Sequence, residues 1–151
     1  MGAAYFYHLT ESPIETTLPM LLGKAQQAGW RILVRGPAPM VARLDQVLWD
    51  GPADGFLPHG VAGGDHDADQ PILLGTDTAA DGFGRIMAVG GANVTASEVG
   101  LSERVCILFD GHDAAALDHA RGQWKSLTGA GISAQYWAQE DGRWVKKAEA
   151  G

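Results

Sequence analysis

The sequence predicts an α/β fold, a three-layer sandwich in which helices cover both faces of a largely parallel sheet. Three observations predict it. Apolar runs alternate along the chain with amphipathic stretches, giving the order strand, helix, strand, helix, strands, helix, strand. Two of the runs, Ile32-Leu33-Val34 and Val105-Cys106-Ile107-Leu108-Phe109, are apolar at consecutive positions, as strands are when a sheet is buried on both sides. The composition, 46% hydrophobic and 19% charged over 151 residues, suits one domain around one core, spanning residues 1–151, with the last few residues expected as a flexible tail.

The first strand is Ala4 to Leu9, short, apolar and aromatic. Ser12-Pro13-Ile14-Glu15 then opens a helix: Ser12 can cap it, Pro13 suits its first turn, and Glu15 completes a capping box. Ile14, Leu18, Leu21, Leu22 and Ala25 recur at helical spacing as far as Ala28-Gly29, with Pro19 expected to bend or split the helix. Trp30 to Arg35 is the second strand, ended by Gly36-Pro37. The next helix has Pro39 near its start and Met40, Val41, Leu44, Val47 and Leu48 on one side. Trp49 to Gly64, rich in Gly, Pro, Asp and His, reads as a long loop that displays Trp49, Phe56, Leu57, Pro58 and His59.

Strands follow at Pro71 to Leu74, Arg85 to Val89 and Arg104 to Phe109, with Ala92 to Leu101 irregular or one short helix. Asp113 can cap a last helix from Ala114 to about Thr128, closed by Gly129 and Gly131. Ile132 to Trp137 is the final long strand, and Asp141-Gly142 makes a hairpin turn into Arg143 to Val145. The element order is Rossmann-like, yet no nucleotide fingerprint accompanies it. The phosphate-loop ending Gly-Lys-Ser/Thr is absent. Gly90-Gly91-Ala92 lacks a third glycine, and Gly129-Ala130-Gly131 follows a helix instead of opening one, so both read as turns.

Composition removes further classes. No apolar run approaches the length of a membrane span, and the amino terminus lacks the pattern of a signal peptide, so a soluble cytoplasmic protein is expected. The single cysteine, Cys106, lies inside an apolar strand and reads as an inert buried thiol. His59, Asp65, His66, Asp67 and Asp69 could offer metal ligands, but their spacing matches no compact metal motif and a solvated acidic loop explains them. His112, Asp113 and His119 bracket a helix start, and although His112 and His119, seven apart, could share a face, nothing places a third ligand; Ser97, Ser102 and Ser126 lack an elbow or a paired base. No catalytic residue, metal or cofactor is therefore assigned.

The last helix is the distinctive element. Leu117, Arg121, Trp124, Lys125 and Thr128 share one side, opposite a stripe of Ala116, Ala120, Gln123 and Leu127 suited to packing on the sheet. Trp124 can therefore be an exposed anchor with a cationic rim, or a core residue around which the cations snorkel. The net charge of -7 opposes non-specific binding to a phosphate backbone. It is unevenly spread: residues 121–151 carry Arg121, Lys125, Arg143, Lys146 and Lys147 against Glu140, Asp141 and Glu149, a local +2 beside -9 for the rest. An apolar pocket edged by Arg and Lys suits an acidic peptide bearing an aromatic residue, above all one ending in a free carboxylate.

Three stretches carry a family resemblance. They are Tyr5-Phe6-Tyr7-His8-Leu9, the run Arg43-Leu44-Asp45-Gln46-Val47-Leu48-Trp49 followed by Phe56-Leu57-Pro58-His59, and Ala120-Arg121-Gly122-Gln123-Trp124-Lys125. Together they resemble the chi subunit of bacterial DNA polymerase III from about Ala4 to Trp144, and the Leu-Trp then Phe-x-Pro-His pattern is the specific part. The resemblance implies an accessory, non-catalytic protein of the clamp loader that joins the psi subunit. It also implies a grip on the acidic carboxy-terminal tail of single-stranded-DNA-binding protein, which ends in Asp-Asp-Asp-Ile-Pro-Phe or a close variant.

On that match Arg121, Trp124 and Lys125 fall on the tail-binding positions, Leu117 falls where some relatives have another Lys, and Tyr136 lines the same pocket. Trp49, Phe56, Pro58 and His59 match the loop linked to psi or to an alternative helicase partner. Contact with DNA would be indirect, the location the replisome on the nucleoid, and the isolated chain a monomer. Two rival readings are a small nucleotide- or metabolite-binding enzyme using the crevice at the carboxyl ends of the strands, and a direct single-stranded nucleic-acid binder using Arg121, Lys125 and Lys146-Lys147.

Overall fold

The computed structural model describes residues 2–50, 58–64, 67–76, 78 and 82–150. Among the described residues eight strands form one sheet: β1 (Ala3–Leu9), β2 (Ile32–Arg35), β3 (Gly60–Val61), β4 (Ile72–Gly75), β5 (Arg85–Ala88), β6 (Arg104–Asp110), β7 (Ser133–Glu140) and β8 (Arg143–Ala150). Their order across the sheet is β3-β4-β2-β5-β6-β1-β7-β8, with every neighbouring pair parallel except the β7–β8 hairpin. Among the described residues four α-helices complete the layers: α1 (Ile14–Gln27), α2 (Ala38–Trp49), α3 (Ala96–Leu101) and α4 (Ala114–Gly129). The three-layer α/β arrangement read from the sequence is the one observed.

Side-chain alternation divides the core between the two faces. On one face Leu18, Leu22 and Ala25 of α1 and Val41, Leu44 and Leu48 of α2 pack on Ile32, Val34, Ile72, Leu74, Met87, Cys106 and Leu108. On the other, Val99 of α3 and Ala120 and Leu127 of α4 pack on Ala4, Phe6, Ile86, Ala88, Val105, Ile107, Phe109 and Ala134. Burial pushes the Cys106 thiol up to about 11, and the side chain packs in the core on the face covered by α1 and α2.

Several boundaries differ from the sequence reading, each for a local reason. Ser12 does not cap α1: Pro13 stands at the N-cap with no side-chain bond, Ser12 N–H donates to Gln139 Oε1 at 3.1 Å, and Glu15 pairs with Arg43 instead of closing a capping box. Pro19 does not split the helix, because it removes only the bond to the Glu15 carbonyl near the first turn and α1 continues through it. The capping box forms at α3, where Thr95 Oγ1 accepts from Glu98 N–H and Glu98 returns the bond to Thr95 N–H.

The expected loop after Trp49 contains a two-residue strand, β3, which pairs with Leu73 and Leu74 at the sheet edge. Strand β7 extends to Glu140 and β8 to Ala150, so the residues expected as a tail pair with β7, Ala150 opposite Ala134. Backbone hydrogen bonding to a long neighbour supplies what the polar β8 side chains did not announce. The hairpin turn is as expected: Asp141 and Gly142 have φ of 52° and 74°, the two positive values of a type I′ turn.

Candidate docking site

Residue 113 begins the site. Asp113 Oδ1 accepts from Ala115 and Ala116 N–H, fixing the start of α4 so that its last two turns lie over β1 and β7. Ala120 and Leu127 are buried against the sheet, whereas Arg121 and Lys125 point to solvent. Trp124 lies between these two faces. Its ring meets Phe6 edge-on with centroids 5.3 Å apart and Tyr136 at 6.1 Å, while the residue stays half-buried. Trp124 is therefore neither a fully exposed anchor nor a fully buried core residue: its ring packs on Phe6 and Tyr136 while part of the residue stays in solvent. Leu117, one helical line up, is half-buried in the same cluster.

The floor of the site contains residues that the sequence reading did not select. His8 stacks on Phe109 at 5.2 Å, and its Nδ1 is hydrogen-bonded to Tyr136 Oη at 2.9 Å. Desolvation lowers the His8 pKa, with His112 and Arg121 adding to the effect and the Gly111 backbone bond and Asp110 opposing it. A neutral His8 with its proton on Nε2, toward the Gly111 carbonyl, leaves Nδ1 free to accept from the tyrosine. Gly111 is required here, because a Cβ at that position would lie 2.0 Å from His8 Nε2. Burial raises the Tyr136 pKa and Arg121 partly reverses the shift, so the guanidinium acts electrically on both Tyr136 and His8. The signal for His8 was present in β1, where period-two alternation puts Ala4, Phe6 and His8 on one face.

Arg121, Trp124, Lys125, Leu117 and Tyr136 thus lie around one aromatic patch. Arg121 makes only a loose contact with Asp118, 3.7 Å away on the same exposed helix face, an interaction of little energetic weight. Among the described residues Lys125 has no carboxylate partner. Two cations are left available beside an apolar, aromatic edge.

The second set of sequence candidates lies at the other end of the sheet. Trp49, at the last position of α2, is 59% exposed and its ring stands 5.0 Å from that of His59. His59 is buried with Nε2 3.1 Å from Asp45 Oδ1, and Pro58 is exposed. Phe56 lies outside the described residues, as do Leu57, Asp65 and His66. Among the described residues no group of three His, Cys, Asp or Glu side chains could hold a metal ion.

The rival crevice also exists. A cavity of about 850 Å³ opens at the carboxyl ends of β1 and β6, where α1 and α4 leave on opposite faces. Several of its polar groups are engaged within the fold. Thr10, Glu11 and Ser12 N–H, the three donors that would face a phosphate, all point to Gln139 Oε1 at 3.0–3.1 Å. His112 Nε2 bonds Thr10 O at 2.8 Å, His119 Nε2 bonds Asn93 Oδ1 at 2.8 Å, and Glu15 holds Arg43.

The candidate site is thus an aromatic patch flanked by two exposed cations on a small α/β domain. The chain belongs to the DNA polymerase III chi subunit family (HolC), whose sequence model matches residues 1–135. It is an accessory subunit of DNA polymerase III, a protein of DNA replication. A comparison with curated protein sequences gave no significant match. Among the described residues no helix is long and apolar enough to cross a membrane.

Proposed function

We propose that the chain is a non-catalytic interaction module, a single chi-like domain that links the clamp loader to single-stranded-DNA-binding protein on the lagging strand in the cytoplasmic replisome. The observation that carries this reading is the open edge of Trp124, held between Phe6 and Tyr136, with Arg121 and Lys125 exposed on the same turn. A terminal Phe would enter beside Trp124 and Tyr136, and Arg121 and Lys125 would pair its carboxylate and the preceding Asp residues. Trp49 and Pro58, with Phe56, form the second contact, for psi or a helicase that uses the same surface; His59, whose side chain is buried, supports Trp49 from beneath instead of meeting the partner protein. The two contacts lie at opposite ends of the sheet, so one chain can hold both partners and raise their effective concentration. Contact with DNA is then indirect, and the free chain is a monomer.

Titration of a fluorescent peptide ending in Asp-Asp-Asp-Ile-Pro-Phe tests the reading. Saturable binding that weakens with salt is expected, and Arg121→Ala should cost about 1–3 kcal/mol. Absence of binding at low salt, or indifference to Arg121→Ala, would refute it. A Trp49→Ala variant should keep the tail peptide and lose the loader partner in a pull-down.

A further inference from the structure

A second cationic and aromatic groove lies on the opposite face of the sheet, at its amino end, away from α4. Arg85 and Arg104 open β5 and β6 and are directly paired across the sheet. Like charges in such a pair repel, and one would expect a carboxylate between them. Among the described residues neither Arg nor the neighbouring Lys24 of α1 has one, and Arg85 Nε is buried without a hydrogen-bond partner. Desolvation and the Arg104 charge hold Arg85 below its ordinary range. In a chain of net charge -7, three cations converge on a groove of about 350 Å³ with no anion of their own.

The guanidiniums lie over ring faces, Arg104 4.1 Å from the Tyr5 centroid and Arg85 5.2 Å from Trp30, which leaves their N–H edges to bind an acceptor. The groove continues past Tyr7 to Trp137 and Trp144, and Trp144 meets Tyr7 edge-on at 5.0 Å. Because α1 packs on β2 and β6, these rings stay half-exposed. Trp137 and Trp144 lie beyond the segment matched by the family, residues 1–135.

We propose that this groove binds an extended acidic peptide segment of a partner protein, with a carboxylate on Arg85 and Arg104 and an aromatic side chain against Trp137 and Trp144. The spacing favours a peptide. With its guanidinium over Tyr5, Arg104 is one strand and two residues from Trp137, about 8 Å at roughly 4.8 Å per strand and 3.3 Å per residue. Residues i and i+2 of an extended chain present side chains on one side at a similar separation. A nucleic-acid strand needs cations along several phosphates, and the net acidity of the surface opposes it. The proposal is independent of the reading of α4.

Titration of the ¹⁵N-labelled full chain with the acetylated and amidated peptide Gly-Asp-Asp-Thr-Phe-Gly tests it, since the amide end removes the free carboxylate suited to α4. The indole N–H signals of Trp137 and Trp144 should move saturably while that of Trp124 stays in place. Arg104→Gln should weaken binding about tenfold or more, and Arg121→Ala should leave it unchanged. Lys24→Ala, on an exposed helix position, should weaken binding severalfold and provides the same test if Arg104→Gln fails to fold. The proposal is overturned if the two signals do not move up to millimolar peptide, or if the folded variants bind as well as the parent. It is equally overturned if oligothymidylate moves the same signals at lower concentration, or if they move with protein concentration alone, which would assign the groove to a second copy of the chain.

Discussion

The Trp124 indole and the Phe6 ring meet edge-on at 5.3 Å with their planes at 66°, which makes one residue of the candidate docking site part of the core. Binding and folding are therefore coupled at Trp124 and separable at Arg121. Trp124→Ala should lower stability by about 2–3 kcal/mol, less than a fully buried tryptophan because one edge is already wet. Arg121→Ala should leave the melting temperature within a degree or two while weakening the tail peptide. Paired thermal melts and peptide titrations of the two variants check the separation.

Acid should loosen the floor of the site. The folded pKa of His8 lies below its ordinary 6.5, so below that value the unfolded chain binds more protons than the folded one. Its contribution to stability is fully present above about pH 6.5 and is lost as pH falls from there toward the folded pKa. His8→Gln should flatten the change in melting temperature over this window, and an imidazole titration by NMR should give a midpoint below 6.5.

Glu98 has a lowered pKa chiefly because Arg35 hydrogen-bonds it, at 2.6 Å and 2.9 Å, with the Thr95 bonds adding to the effect. Its contribution is present above its ordinary 4.5 and lost as pH falls through the folded value. Arg35 also donates to Thr78 O and Asn93 O, so Arg35→Ala leaves a part-buried carboxylate and two carbonyls without their donor. A loss of about 3 kcal/mol is expected by urea denaturation at neutral pH.

Gln139 joins the end of β7 to the loop between β1 and α1 by accepting three backbone N–H bonds. Gln139→Ala releases those donors to partial solvation and should cost about 1–2 kcal/mol. Faster amide exchange at Thr10, Glu11 and Ser12, with the rest of the sheet unchanged, is the specific readout.

Cys106 should resist thiol reagents in the folded protein, since burial pushes its thiol up to about 11 and the residue is 2% exposed. Labelling at a rate equal to global unfolding in dilute denaturant is the expected result. Rapid labelling in buffer would contradict it.

Helices and strands were legible because their signals are local. The spacing of Leu18, Leu22 and Ala25 identified α1, and the apolar run from Val105 to Phe109 identified β6. Arg121, Trp124 and Lys125 were legible as one helical turn. His8 and Phe109 were not selected, although alternation placed each on the α4 face, because their meeting depends on β1 lying beside β6. The end of β8 was misread because an edge strand with Lys146, Lys147 and Glu149 has little apolar pattern, and its pairing with β7 comes from backbone groups common to every residue.

By itself the sequence determined the helices and the central strands, the two apolar faces and the cationic turn around Trp124, since periods of two and 3.6 residues need no knowledge of distant partners. Only the tertiary structure decided which strands are neighbours. That order set Arg85 opposite Arg104, brought Gln139 to the Thr10 loop and enclosed His8 under Tyr136. Each of these depends on side chains far apart in the chain, and strand order is fixed by packing both faces of the sheet at once, a global condition that no local window contains.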